Sequence, residues 1–280
     1  MNRPSPLRLL GMLLLVPLLS LAACTSSPGD GGEEEQPDDL SPAPAPGERW
    51  QPAPGVSWQW QLTGKLDTSV KAAVYDVDGF TTTKEQVAEL KKAGRRTICY
   101  LSTGAWEDFR PDAEAFPQSM RGEGNGWEGE RWLDVRRLAE LEPLIGKRFD
   151  MCREKGFDAV EPDNMDGYRN KSGFPLTAED QLKYNRLIAK LAHDRGLSVG
   201  LKNDLDQIPQ LVGEFDFAVN EQCMQYEECD RVAPFVKAGK AVFHVEYEKP
   251  LKEWCPKARE AKLSSLQKKS ELGVWRQVCR

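Results

Sequence analysis

The sequence predicts a single (β/α)8 barrel over residues 50–280, and three observations support this fold. Short apolar runs of strand length recur eight times along this part of the chain. Segments with apolar residues three or four positions apart separate most of these runs, as expected for helices that pack on a sheet. A length of roughly 230 residues is common among α/β barrels that form one domain.

The predicted strands are residues 57–62, 72–77, 96–102, 157–162, 197–202, 216–221, 241–247 and 273–278. Val87, Leu90 and Gly94 indicate a helix with a glycine stop, and residues 177–196 indicate another with a polar N-cap segment and a terminal glycine. Repeated strand–helix units imply a parallel sheet with right-handed crossovers. An open doubly wound sheet is the alternative, but no GxGxxG or GxxxxGK sequence directly follows an early predicted strand.

Residues 1–23 resemble a secretory signal. Arg3 and Arg8 precede an apolar run that is too short for a membrane span. The sequence Leu-Ala-Ala-Cys then ends at Cys24 and resembles a bacterial lipobox, in which the cysteine becomes lipidated. An ordinary signal peptide with an incidental cysteine is the alternative. We expect an exported protein that lipid on Cys24 anchors to the bacterial cell envelope or cell surface.

Residues 24–49 are expected to be the lipidated start and a disordered tether, because proline, glycine, serine and acids dominate and aromatic residues are absent. Residues 25–49 contain seven acidic residues and one arginine, and the formal net charge of the whole chain is −6. The folded part is therefore close to neutral. This charge distribution excludes the basic surface that nucleic-acid binding requires.

Six cysteines follow Cys24, and an even number in an exported chain favours disulfide bonds. Proximity along the chain favours two pairs and leaves a third. The predicted pairs are Cys223–Cys229, Cys255–Cys279 and Cys99–Cys152. No CxxC pair occurs and the two histidines stand apart, so we expect neither zinc nor another metal.

Polar side chains recur at the same end of successive predicted strands. They are Asp76, Asp78, Asp163, Asn203, Asp204, Glu221 and Glu246. Any single acid can simply cap the helix that follows its strand. Their recurrence favours a carboxylate-lined rim, because catalytic groups of such barrels gather where the strands end. Crowded carboxylates also acquire the raised pKa values that acid/base catalysis requires.

Residues 104–132 are too long for a plain connection, and such loops are usually functional. Trp106 and Trp127 within them are expected to provide flat faces for sugar rings. Alternatively, these tryptophans attach the loop to the barrel. Carboxylates and aromatic faces in an exported barrel indicate glycoside hydrolysis. Serine-nucleophile chemistry is not supported, because such a nucleophile needs a nearby base and the chain has only two histidines.

The segments ICYLSTGAWEDFRPD, GWEGERWLD, GFDAVEPDNMDGY, VGLKN, DFAVNEQC and HVEY occur in this order along the chain. Together they resemble the endo-α-1,4-polygalactosaminidase family, glycoside hydrolase family 114. The resemblance implies a (β/α)8 barrel that cleaves α-1,4-linked galactosamine polymers in an endo-acting manner without a cofactor. It places the catalytic pair on Asp163 and Glu221.

The strand positions agree with this pair, because alternate strands can direct both side chains into one cleft. Asp163 would be the nucleophile, or the base that activates water in an inverting scheme, and Glu221 would be the general acid. Glu161 shares the orientation of Asp163 one layer deeper and is expected to tune the site with Lys202.

The expected substrate-binding residues are Asp76, Asp78, Tyr100, Trp106, Trp127, Glu161, Asn164, Asp166, Lys202, Asn203, Glu246 and Tyr247. Four of them, Asp76, Asp78, Asp166 and Glu246, are expected to pair with the ammonium groups of a cationic galactosamine polymer. The expected partners are this polysaccharide and the membrane, and the protein is expected to be a monomer. A non-catalytic glycan-binding lipoprotein and a hydrolase of another linkage are the alternatives.

Overall fold

A curled sheet of nine strands forms the centre of the protein in a computed structural model, which describes residues 49–279. The strands, in chain order, are β1 (Trp58–Gln61), β2 (Val74–Asp78), β3 (Arg96–Ser102), β4 (Ala105–Glu107), β5 (Arg121–Gly124), β6 (Glu130–Leu133), β7 (Ala159–Asp163), β8 (Ser198–Lys202), β9 (Phe217–Glu221), β10 (Val242–Glu246), β11 (Ser264–Gln267) and β12 (Gln277–Val278). The central sheet has the order β1-β2-β3-β7-β8-β9-β10-β11-β12. Its first eight strands pair in parallel, which confirms the predicted (β/α)8 barrel.

The helices are α1 (Lys84–Lys92), α2 (Leu138–Lys155), α3 (Ala178–His193), α4 (Ile208–Leu211), α5 (Ala233–Lys237) and α6 (Leu251–Glu260). The two helices that the sequence predicted in detail are α1 and α3. Thr83 and Thr177 begin them, and each forms a capping box with the residue three positions later. Gly94 and Gly196 follow their C-termini with φ angles of +77° and +72°, a conformation that glycine adopts without a steric penalty.

The eighth parallel strand is β11, so the expectation of a strand at 273–278 was wrong. Within 273–278 only the last two residues form a strand, β12, and it runs antiparallel to β11. The sequence of β11 is SSLQ, which lacks the β-branched and aromatic residues that usually mark a strand. Two of its polar groups have buried partners instead: the Trp58 indole donates to the Ser264 carbonyl at 2.8 Å, and the Ser265 hydroxyl lies 2.9 Å from His244 Nδ1.

The C-terminal segment joins the last strands of the barrel to the first. The backbone N–H of Leu62, directly after β1, donates to the carbonyl of Leu272 at 2.9 Å. The Gln59 amide donates to the carbonyl of Val274 at 2.8 Å. A disulfide between Cys255 and Cys279 ties the end of this segment to α6. The other predicted disulfides, Cys99–Cys152 and Cys223–Cys229, are also present.

An apolar cluster fills the lower part of the barrel interior. Trp58, Phe217 and Phe243 pack together there, and the rings of Phe217 and Phe243 meet edge to face at 5.5 Å. Gly200 in β8 lies against the Phe217 ring, where a Cβ atom would collide with it. This apolar cluster, which forms the floor of the barrel interior, therefore requires glycine at position 200. Charged side chains occupy the strand ends above the floor.

The long segment between β3 and α2 is folded rather than irregular. It contains β4, β5 and β6, which form a second, antiparallel sheet in the order β4-β6-β5. Buried Arg148 of α2 donates to the carbonyl of Ser102 at 2.6 Å and to the carboxylate of Asp112 at 2.8 Å. Arg110 of the segment contacts Glu107 and Asp78, both at 2.7 Å. These bonds fix the small sheet on the C-terminal end of the barrel.

Within residues 49–279, no helix combines the length and the apolar character needed to cross a membrane. The predicted signal at 1–23, the lipidation site at Cys24 and most of the predicted tether lie outside the described residues.

Candidate active site

The C-terminal ends of β7, β8 and β9 bring three charged side chains together. Asp163 ends β7, Lys202 ends β8 and Glu221 ends β9. The Lys202 ammonium nitrogen lies 2.9 Å from Asp163 Oδ1 and 3.2 Å from Glu221 Oε2. The Lys202 side chain is 2% exposed, whereas those of Asp163 and Glu221 are 20% and 26% exposed. The two carboxylates are therefore accessible from a cleft, and the cation lies beneath them.

Charge balance determines the protonation of this cluster. Burial alone would raise the pKa of Asp163, but the Lys202 ammonium and hydrogen bonds from Lys202, Tyr100 and the Asn164 backbone outweigh burial and lower it. Burial lowers the pKa of Lys202, but the surrounding carboxylates reverse this effect and hold it well above its ordinary value. Asp163 is thus an ionised carboxylate at neutral pH, beside a permanently charged lysine.

Two tyrosine hydroxyls hold the outer oxygens of the carboxylates. The Tyr100 hydroxyl donates to Asp163 Oδ2 at 2.7 Å, and the Tyr247 hydroxyl donates to Glu221 Oε1. Burial raises the pKa of both tyrosines, and the charge of the adjacent carboxylate raises it further. Both hydroxyls therefore remain protonated donors.

Two asparagines with positive φ turn the backbone beside the carboxylates. Asn164, at φ +64°, donates its backbone N–H to Asp163 Oδ1 at 2.8 Å. Asn203, at φ +49°, accepts the backbone N–H of Glu221 at 3.0 Å. Asparagine tolerates the left-handed region better than most residues because its short side chain forms local hydrogen bonds. The predicted residues Asn164 and Asn203 therefore fix the orientations of Asp163 and Glu221.

Glu161 lies one layer below Asp163, as its position in the strand predicted. It is fully buried and contacts the Lys202 ammonium at 3.2 Å. Lys202 thus contacts three carboxylates at once. Its ammonium also lies 4.9 Å from the centre of the Trp60 ring, whose negative face attracts a cation.

Three acids that were expected to meet substrate are instead buried. Asp76 is 0% exposed on the inner side of β2, and Glu246 is 0% exposed at the end of β10. Glu246 accepts the backbone N–H of Met224 at 2.8 Å and thereby holds the loop after β9. Asp78 binds Arg110 and the start of the loop after β2. These contacts correct the expectation that Asp76, Asp78 and Glu246 bind ammonium groups of the substrate.

The two tryptophans of the long segment differ in their surroundings. Trp106 donates its indole N–H to the carbonyl of Ala113 at 3.0 Å, and the Arg121 guanidinium covers its ring at 4.1 Å. Ala113 and Arg121 both belong to residues 104–132, so these two contacts hold Trp106 within the segment and differ from the attachment to the barrel that was the alternative. Trp127 is 64% exposed at the tip of the β5–β6 hairpin and remains available to a ligand.

Two further acids lie around the cleft. Burial, together with the charge of Asp163, raises the pKa of Asp166 to about 6. Glu130 of β6 accepts the Asn125 amide at 2.7 Å, and that amide lies 3.5 Å from Asn164 Oδ1. The sequence did not indicate Glu130, because it belongs to the inserted sheet and does not follow a barrel strand. Its proximity depends on how that sheet folds over β7.

Among the described residues, one group of side chains is close enough to hold a metal ion: Cys223, Cys229 and His244. Both sulfurs belong to one disulfide, and the two ring nitrogens of His244 contact Ser265 and Glu246. Metal ligation would require thiolates, which the disulfide does not provide.

Asp163 and Glu221 face each other closely enough for glycosidic bond cleavage. Because one ammonium nitrogen contacts both, Asp163 Oδ1 and Glu221 Oε2 are at most about 6 Å apart. Paired carboxyl groups of retaining glycosidases are separated by about 5–5.5 Å, and those of inverting enzymes by about 6.5–9.5 Å. Two accessible carboxylates on the catalytic face of a (β/α)8 barrel define the class of the protein: it is a glycoside hydrolase.

The chain belongs to glycoside-hydrolase family GH114, whose model matches residues 40–280. Its fold is similar to that of Ega3 from Aspergillus fumigatus, solved as a complex with galactosamine, with 41% identity, a TM-score of 0.78 and coverage of 82% of this chain and 97% of that one. The glycoside hydrolase domain of PelA from Pseudomonas aeruginosa shares the fold at 13% identity and a TM-score of 0.64, over 79% of this chain and 98% of that one. A sequence comparison with curated proteins finds no match.

Replacing Lys202 tests the electrostatic account of the site. In Lys202→Met we expect the pKa of Asp163 to rise, because the ammonium that lowers it is absent and burial then dominates. Carboxyl-carbon NMR titration of labelled aspartate measures this change. Lys190→Met is the matched control, since Lys190 is exposed on α3 and pairs only with Asp194. An unchanged pKa of Asp163 in a folded Lys202→Met protein would contradict the account.

Proposed function

We propose that the protein is an exported endo-acting hydrolase of α-1,4-linked, galactosamine-containing polysaccharide, with Asp163 as nucleophile and Glu221 as general acid. The observation that carries this proposal is the contact of one buried ammonium with both accessible carboxylates. Family membership supports the reaction class. The galactosamine bound in the related Ega3 structure supports the sugar.

The first chemical step uses the two carboxylates in opposite protonation states. An oxygen of ionised Asp163 attacks the anomeric carbon, while the carboxyl of Glu221 gives its proton to the leaving glycosidic oxygen. The bond between the anomeric carbon and that oxygen breaks as the bond to Asp163 forms. Glu221, now ionised, then takes a proton from water, whose oxygen displaces Asp163 and releases the second product.

The surrounding donors suit this division of roles. Lys202, Tyr100 and the Asn164 backbone stabilise negative charge on Asp163, which keeps it ionised before attack and favours its departure as a leaving group. Tyr247 and Asn203 hold Glu221 in one orientation.

The cleft also suits a cationic polymer. Asp166 and Glu130 are partly exposed, and the charge of Asp163 acts on both. An unacetylated galactosamine unit carries an ammonium group, for which accessible carboxylates are suitable partners. Trp127 provides an exposed aromatic face, and sugar rings pack well against such faces.

Export and anchoring complete the proposal. The six cysteines of the folded part form three disulfides, which persist in oxidising compartments and are rare in the cytosol. We propose that residues 1–23 are a secretory signal, that Cys24 carries the lipid, and that residues 24–49 form the tether to the catalytic domain at 50–280.

Replacing either carboxylate should abolish turnover with little effect on folding. For Asp163→Asn and Glu221→Gln we expect kcat to fall at least about a thousandfold, because each change removes a reacting group. The melting temperature should remain within a few degrees or rise, since crowded acids strain the native state. Reducing-end release measures activity, and Glu179→Gln on the exposed face of α3 is the control. A Glu221→Gln enzyme with most of its activity would refute the assignment.

The anomer released first reports the stereochemistry. Because the two carboxylates are so close, we expect the α-configured product to appear before mutarotation, as in a retaining mechanism. Proton NMR of the early reaction distinguishes the two anomers. Initial release of the β anomer would contradict the nucleophilic role of Asp163 and favour its action on water.

Substrate charge should determine activity. We expect KM for unacetylated polymer to rise with ionic strength, because salt screens the attraction between ammonium groups and carboxylates. Asp166→Asn should weaken this dependence, and fully N-acetylated polymer should not be cleaved. Initial rates on both polymers across a salt series measure these effects. Salt-independent cleavage of the acetylated polymer would overturn the charge argument.

A further inference from the structure

Two carboxyl groups inside the barrel have too few hydrogen-bond donors. Asp76 and Glu161 are both 0% exposed. Apart from the Lys202 ammonium, which lies 3.2 Å from Glu161 Oε1, no donor among the described residues is paired with their four carboxyl oxygens if both groups are ionised. Buried polar atoms are nearly always paired, so these four oxygens require an explanation.

The available positive charge is too small to balance this cluster. In the described chain, the ion pairs of Glu161, Asp163 and Glu221 at this position all involve the Lys202 ammonium. Asp76 forms no ion pair there. Four carboxyl groups therefore share one cation, in an interior from which water is largely excluded. Two adjacent buried carboxyls without separate cations cannot both be ionised, because repulsion adds to the loss of hydration.

One proton on either carboxyl supplies a missing hydrogen-bond donor and removes the repulsion between the two groups. A protonated carboxyl is a hydrogen-bond donor as well as an acceptor. If Asp76 carries the proton, its hydroxyl donates to Glu161, and Glu161 remains the counter-ion of Lys202. Burial raises the pKa of Asp76 well above its ordinary value, and the charge of Glu161 raises it further. Burial also raises the pKa of Glu161, but the Lys202 ammonium opposes that effect. The proton therefore belongs on Asp76.

The residues around Asp76 support this arrangement. In the sheet, Asp76 lies between Trp60 of β1 and Ile98 of β3, neither of which is ionisable. The ionisable groups that act on it are Glu161, Lys202 and Asp163, from β7 and β8. Lys202 is engaged by three other carboxylates, and its lowering effect on the pKa of Asp76 is smaller than the opposing effects of burial and of Glu161.

We propose that Asp76 and Glu161 share one proton beneath the catalytic pair, and that neutral Asp76 positions Glu161 against Lys202. Asp76 is thus a positioning residue: it acts through Glu161 and Lys202 on Asp163. Its effect on turnover rests on the roles assigned to Asp163 and Glu221 under the proposed function. The existence of the shared proton does not depend on those roles, and it can be measured without substrate.

Stability as a function of pH provides the first test. The folded protein retains the Asp76 proton at pH values where the unfolded chain, with an ordinary aspartate pKa of 3.8, has lost it. The contribution of Asp76 to the stability of the wild type therefore decreases as pH rises above about 4. Asp76→Asn has no such proton to lose, so its melting temperature should exceed that of the wild type by an amount that grows with pH. Asp206→Asn, at an exposed acid paired with Arg169 and Arg231, is the control and should show no such gain.

Infrared spectroscopy provides a direct test. At neutral pH the wild type should show the carbonyl band of a protonated carboxylic acid that is absent from Asp76→Asn. A difference spectrum isolates this band from other protonated acids, such as Asp204, whose pKa burial raises to about 8. Absence of the band from the difference spectrum, or a stability difference that does not depend on pH, would overturn the shared proton.

Turnover tests the positioning role. Asparagine can donate to Glu161 from the same place, so Asp76→Asn should retain kcat within about threefold, whereas Asp76→Ala should lose roughly tenfold to a hundredfold in kcat with KM nearly unchanged. Equal losses in both variants would show that Asp76 acts as an ion and would overturn the proposal. If neither the wild type nor any variant hydrolyses the polymer, the proposed function fails. The stability and infrared results still show whether Asp76 and Glu161 share a proton.

Discussion

The Lys202 ammonium lies among three carboxylates, at 2.9 Å from Asp163 and 3.2 Å from both Glu161 and Glu221. Placing one cation and several anions in the interior of a barrel is costly, because each loses its hydration. The cost is reduced only if the geometry is good and the remaining oxygens find donors. Tyr100, Tyr247 and the backbone beside Asp163 supply such donors to the two upper carboxylates. The lower carboxylate has none of these, which is why a proton on its neighbour Asp76 matters.

The formation of this cluster depends on the curvature of the barrel sheet. Its charged members come from consecutive strands β7, β8 and β9, and they meet only because the curled sheet directs these strand ends to a common centre. Below them the interior becomes apolar, and Gly200 leaves room for the Phe217 ring directly under Lys202 in the same region of β8 and β9. An apolar floor strengthens the electrostatic interactions above it, because it excludes water from one side of the cluster.

The sequence predicted the barrel because its strands follow local patterns, and the family resemblance, with which the strand positions agree, indicated Asp163 and Glu221 as the proposed catalytic pair. Apolar runs mark seven of the eight parallel strands, and Asp163 and Glu221 follow directly from strand ends. The eighth strand escaped prediction because its serines owe their burial to distant partners, Trp58 and His244. Asp76, Asp78 and Glu246 resembled the proposed catalytic acids in sequence, but their surroundings are set by tertiary contacts. A strand-end position identifies a carboxylate near the rim; it does not determine whether that carboxylate faces water, an arginine or another acid.

The inserted sheet shows why the shape of the cleft is a property of tertiary structure. Glu130 and Asn125 approach Asn164 because β4, β5 and β6 fold over the end of β7. That position depends on Arg148, which is 2% exposed and reaches from α2 to the carbonyl of Ser102. Arg110 adds the link to Glu107 and Asp78, and burial raises the pKa of Glu107 to about 7 even though both arginines oppose it. Asp78, which the sequence placed among the substrate-binding residues, thus helps to hold the wall of the cleft that carries Glu130 and Trp127. Under the proposed function, substrate recognition and loop anchoring are therefore carried by different acids of the same rim. Asp166 and Glu130 remain partly exposed, whereas Asp78 is buried against Arg110 and Glu246 against the backbone N–H of Met224.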